Sequence, residues 1–164
     1  MTATADATAQ RLLRSSAKQS YDPDVDIDWD APLDPDKFYL PPKTVSLYGT
    51  PLWDDMSRAQ QIDLSRQELV NTLSAGIWFE NMLNQSLLRT ILHEDPTSRS
   101  THYKLTELGD ETRHILMFAK AIKRMGTPTY RPDRVVHHLA RIYKATAAGP
   151  ALFAGARTGT GTVN

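Results

Sequence analysis

From about residue 65 onward, apolar residues recur at the three- and four-residue steps of an α-helix; before residue 53 they do not. Ser65-Arg66-Gln67-Glu68 has the form of a capping box. It predicts a helix from 65 to about 93, preceded by a short helical segment from Asp54 to Asp63. The run His93-Glu94-Asp95-Pro96-Thr97-Ser98 breaks the pattern, and a second long helix is predicted from about 98 to 125, ended by Gly126 and Pro128. Pro132 suits the first turn of a third helix carrying Val135, Val136, Leu139, Ile142 and Tyr143. Gly149-Pro150 opens a fourth, which supplies barely one turn.

Ahead of the helices the pattern is different. Residues 1–20 are small and polar, with a short amphipathic piece at Leu12 and Leu13, and are expected to be a frayed terminus. Residues 21–52 are crowded with Asp and Pro and cannot hold a helix. Yet Val25, Ile27, Trp29, Phe38, Tyr39, Leu47, Tyr48 and Trp53 are too apolar for a free linker. An extended arm lying against a helical body is predicted. The body spans 53–156, and residues 157–164 form a Gly/Thr-rich tail expected to be disordered. The fold class is therefore all-α, a long antiparallel hairpin plus a shorter helix, with an N-terminal arm.

Composition narrows the chemistry. The chain has 164 residues, room for one modest domain, and no cysteine, which excludes disulfides, zinc-thiolate sites and cysteine nucleophiles. No apolar run is long enough to span a bilayer and no signal-peptide pattern opens the chain, so a cytoplasmic protein without membrane contact is expected. The net charge of zero hides an asymmetry: seven Asp and no base between Tyr21 and Lys37, but eleven Lys or Arg against four acids from Arg99 onward. No nucleic-acid motif accompanies the basic residues, so they read as solvated helix faces partly matched by the acidic arm, not as a nucleic-acid surface.

Three polar side chains sit inside the apolar stripes. One stripe is Leu73, Ile77, Glu80, Asn84, Leu87, Ile91; the other is Leu108, Glu111, Ile115, Phe118, Ile122. A carboxylate buried there without a partner is costly. Glu80 lies sixteen residues before Pro96 and Glu111 fifteen after it. In an antiparallel hairpin both stand about 23 Å from the turn and face each other. Glu111-Thr112-Arg113-His114 adds a histidine one turn along the same helix face. Glu-x-x-His is the half-site unit of ferritin-like di-iron carboxylate proteins, in which two helices give one Glu each and two others give Glu-x-x-His. From the residues alone, two readings stand. The three hold a metal, or Glu111 pairs with Arg113 or Arg89 and His114 is a satisfied core histidine. Glu68 would lie opposite the far end of the second helix and is assigned to capping. Glu107 reads as a solvated or hydrogen-bonded group. His93, His102, His137 and His138 carry no site, and Met82, Met117 and Met125 are core candidates.

Several segments together resemble one family. Gly76-Ile77-Trp78-Phe79-Glu80, Asp95-Pro96-Thr97-Ser98-Arg99 and Glu107-Leu108-Gly109-Asp110-Glu111-Thr112-Arg113-His114 with Met117-Phe118 are similar to the p-aminobenzoate N-oxygenase-like di-iron oxygenases. Asp26-Ile27-Asp28-Trp29 and Ser46-Leu47-Tyr48-Gly49-Thr50-Pro51-Leu52-Trp53 resemble the arm preceding the bundle in that group. The resemblance covers roughly residues 11–155. It implies an incomplete ferritin-like four-helix bundle, with Glu80 as the single-carboxylate ligand and Glu111 and His114 as the Glu-x-x-His ligands. It further implies iron as the cofactor, O2 and a small organic substrate (an aryl amine in the namesake members) as reactants, and an external electron donor.

The chain also departs from that family. A second half-site would need a further Glu and a His-x-x-x-Glu-x-x-His motif, but no Glu follows Glu111 and no His follows His138. A truncated family member, carrying half of the metal ligands, is the expectation. The alternative is a non-catalytic helical interaction protein that keeps the hairpin as a dimerisation face. Half a bundle leaves apolar faces open, which predicts self-association, with a homodimer as the simplest form.

Overall fold

The computed structural model describes residues 3–131 and 133. The third helix expected from Pro132, with His137 and His138, the helix start at Gly149-Pro150 and the tail 157–164 lie outside the described residues. Among those described, four α-helices and no strand occur: α1 (Ala3–Lys18), α2 (Pro51–Asp55), α3 (Arg58–Ile91) and α4 (Arg99–Met125), with one 3-10 turn at Pro42–Thr44. The all-α class is that of a ferritin-like bundle. No described helix is long and apolar enough to cross a membrane.

The expectations for the N-terminus, the start of α3 and the arm need correction. Residues 3–18 are helix, where a frayed end was predicted. The second correction concerns where α3 begins. Ser57 and Gln60 form the capping box: Ser57 N–H donates to Gln60 Oε1 at 2.8 Å, and Gln60 N–H donates to Ser57 Oγ at 3.3 Å. The helix therefore starts at Arg58 and runs straight through Ser65. Ser65 is fully buried inside it, donating to the Ile62 carbonyl and accepting from Tyr39 N–H. Glu68 is not a capping residue either. It accepts from the Ser46 N–H at 3.0 and 3.1 Å and from the Ser46 hydroxyl.

Contacts divide the chain into two compact units. One comprises residues 21–81 and 112–132. Its core is Val70, Ile122 and Met125, with Tyr39, Leu69, Leu73, Ile77 and Ala121 packed against it. Arg66 reaches the Met125 carbonyl, and the Phe118 ring lies against Gly76. Partners in α4 thus fall in number as those in α3 rise, so the two helices run antiparallel here. The arm docks on this unit by aromatic and charged contacts. Trp53 is buried between Phe38 and Tyr48, Arg58 lies over the Phe38 ring, and Lys120 pairs with Asp24 and stands over Trp29. The arm is built from turns, not from extended chain. Asp22, Asp28 and Asp34 each accept from the N–H two residues on, which gives much of the acidic run a local structural use. Val25, at 80% exposure, takes no part in the docking.

The described part of the other unit holds α1, the end of α3 and the start of α4. Ser98 caps α4 by accepting from Thr101 N–H at 3.1 Å. Asp95 accepts from the N–H and hydroxyl of Thr97, which holds its carboxyl below the usual carboxylate range. Glu94 accepts from buried Thr101 and pairs with Lys104 across the turn. Asp6 of α1 pairs with Arg99 of α4 at 2.8 Å. Tyr103 is hydrogen-bonded to Glu107; burial, then this bond and the nearby carboxylates, raise the tyrosine to about 12.

Candidate metal centre

The middle of α3 contains no proline and one glycine, so the helix propagates through Glu80 without a break. That glycine, Gly76, faces Phe118: a Cβ there would stand 3.0 Å from the ring. The missing side chain lets the ring in. Phe118 in turn stacks on His114, with centroids 6.3 Å apart and planes 21° from parallel. A glycine on one helix thus makes room for the ring that supports the imidazole on the other.

His114 Nδ1 lies 3.6 Å from Glu80 Oε1. This is too long for a hydrogen bond. It is slightly wider than the spacing of two donors on one ion, since bonds near 2.1 Å place neighbouring ligand atoms roughly 3 to 3.5 Å apart. Glu111 stands one turn before His114 on α4. One ligand atom from each of Glu80, Glu111 and His114 lies within 4.8 Å of the others. All three residues singled out from the sequence are brought together. Glu80 is the more enclosed, with its side chain 15% exposed, whereas that of His114 is 48% exposed and leaves one side open. Two carboxylates and an imidazole are hard and borderline donors of the kind that suits iron or manganese.

The other histidines within the described residues stay apart from this group. His93 is exposed just past α3, and His102 in the first turn of α4 lies 3.0 Å from the Pro96 carbonyl. Asn84, four residues after Glu80, has its Oδ1 buried with no hydrogen-bond partner among the described residues. Its place in the α3 stripe was legible in the sequence; its unsatisfied oxygen was not. The His114–Phe118 stack is an i,i+4 contact within α4; what sequence reasoning missed is the seat of that ring against Gly76, which depends on the register between the helices.

The family described as P-aminobenzoate N-oxygenase AurF matches residues 2–161 of this chain. Uncharacterized proteins of Mycobacterium bovis and of two strains of Mycobacterium tuberculosis are each 29% identical to it over 119 residues. The match covers 70% of this chain and 35% of each relative, so the chain spans about a third of the length of the curated relatives it matches. No solved structure matches it.

Proposed function

This chain belongs to the p-aminobenzoate N-oxygenase AurF family, and on that premise we propose that it serves an O2-dependent oxygenation in which Glu80, Glu111 and His114 hold iron. The observation that carries the reading is the convergence of the three ligand atoms within 4.8 Å. Iron bound there supplies O2 activation and one-electron chemistry, which no side chain of this protein can supply.

The residues divide the remaining work. Glu80 and Glu111 bring two negative charges against the cation, and their enclosure makes that attraction strong. His114 brings a neutral nitrogen, its ring held by the Phe118 stack. Ile77, three residues before Glu80 on α3, packs on the apolar core. The exposed side of His114 is the approach for O2 and substrate.

The substrate class is a small aryl amine, oxygenated at nitrogen. Amine, O2, two electrons from an external donor and two protons give the hydroxylamine and water. A complete di-iron site of this kind takes its ligands from four helices. The described residues form one half-site, and a second hairpin must complete it. A two-fold pairing of copies would repeat the same three ligands.

The test is O2 uptake by Fe(II)-loaded protein given p-aminobenzoate and an external reductant, measured separately on monomeric and self-associated fractions. Uptake with formation of the hydroxylamine in an associated fraction is expected, and none from the monomer. No uptake in any fraction contradicts the oxygenase reading and leaves a helical interaction module.

A further inference from the structure

Asn84 occupies the one position on the inner stripe of α3 that carries neither a hydrocarbon side chain nor a carboxylate. Its Oδ1 is buried, and no described protein group donates to it. A buried carbonyl oxygen without a donor is unfavourable, and such groups in folded proteins nearly always have a partner. Leucine, used one turn further along at Leu87, would fill the same place without that cost.

Asn84 is four residues past Glu80, so the two are neighbours on one helix face. Helical side chains lean toward the N-terminus of their helix, which tips the Asn84 amide back toward Glu80 and not away from it. A cation held by Glu80, Glu111 and His114 would keep coordination positions filled by water. Water on a cation is polarised and becomes a better hydrogen-bond donor than bulk water. It is the kind of group a neutral acceptor at position 84 would receive.

We propose that Asn84 is a positioning residue of the metal centre, its Oδ1 accepting a hydrogen bond from a water bound to the ion. The inference rests on the metal reading of Glu80, Glu111 and His114 and adds a fourth residue to it. As a neutral group, Asn84 orients the water without adding a third negative charge. A buried acceptor with no protein donor is then the cost of preorganising the site.

Co(II), with its visible absorption bands, is a suitable probe, alongside thermal melting of the metal-free protein. Asn84→Leu removes the orphaned oxygen, so the metal-free variant should melt above wild type while its Co(II) affinity falls about tenfold. Asn84→Asp keeps an acceptor at the same place and should restore or tighten binding, with shifted bands. A merely structural asparagine would not give a higher melting temperature and weaker metal binding together. Wild-type binding that Asn84→Leu leaves unchanged overturns the role of Asn84 alone. Wild-type protein that binds no Co(II) overturns the metal reading and this inference with it. Should Asn84→Leu fail to fold, the Asp variant decides, and unchanged bands and affinity there overturn the proposal.

Discussion

Gly76 and Phe118 are in contact across the α3–α4 pair, with the ring 3.0 Å from where a Cβ on the glycine would stand. The same ring stacks on His114. Packing and candidate chemistry therefore share one element: whatever displaces Phe118 also disturbs the imidazole.

Gly76→Ala sets two effects against each other. Alanine is favoured over glycine inside a helix by about 1 kcal/mol, while overpacking costs about 1 to 3 kcal/mol. The Phe118 ring can give by a few tenths of an ångström, so the net stability change is expected within about 1 kcal/mol of zero. Gly76→Val, with more volume and lower helix propensity, should lower the urea midpoint clearly. Metal affinity should fall in both. A Gly76→Val protein as stable as wild type would show that the ring does not fill this place.

The arm is held by a small number of specific contacts, and Glu68 is the test of them. It accepts both the N–H and the hydroxyl of Ser46. Glu68→Ala should cost about 1 to 2 kcal/mol, as for hydrogen bonds to a partly exposed charged group. Proteolysis should quicken within residues 40–50. Loss of α3 helicity instead, seen by circular dichroism, would restore the capping role and remove the anchoring one.

The start of α3 also shows what could be read in advance. Both Ser57-x-x-Gln60 and Ser65-x-x-Glu68 have the capping-box form. Local sequence does not choose between them; the choice is made by burial of Ser65 against Tyr39 and by the reach of Glu68 to Ser46, which are long-range contacts. The start of α4 was legible because Pro96 and the Ser98 cap fix it locally. The three candidate ligands were legible because carboxylates in an apolar stripe at matched distances from a turn have few explanations. The helix at 3–18 was not, since its sequence is weakly apolar and part of its support comes from Arg99.

Tyr103 gives a prediction at high pH. Its folded-state value is raised to about 12 from the ordinary 10.0, mainly by burial. A raised value means that the folded protein holds the proton more tightly than the unfolded chain. The stabilisation is whole below pH 10 and is lost as pH rises toward 12. Tyr103→Phe should flatten this alkaline decline in urea-unfolding free energy. An unchanged decline would place its origin elsewhere.

Asp95 acts at the other end of the scale. Its carboxyl is lowered from 3.8 by the two Thr97 hydrogen bonds. A lowered value stabilises the fold above pH 3.8, and this is lost as pH falls through the folded-state value. Thr97→Ala removes the hydroxyl donor and should make the turn between α3 and α4 less sensitive to acid, as read by amide exchange at residues 93–98. Equal acid sensitivity in both proteins would contradict this.

The central claim is that Glu80, Glu111 and His114 together hold metal. Its most direct test is anaerobic titration of Fe(II) into purified protein, counting metal per chain for wild type, Glu80→Ala, Glu111→Ala and His114→Ala. The account predicts about one iron per chain in wild type, half of a two-iron site completed by a second hairpin, and loss of binding in each variant with α-helix content retained. Binding that survives all three substitutions, or a wild-type protein that takes up no iron, would contradict it.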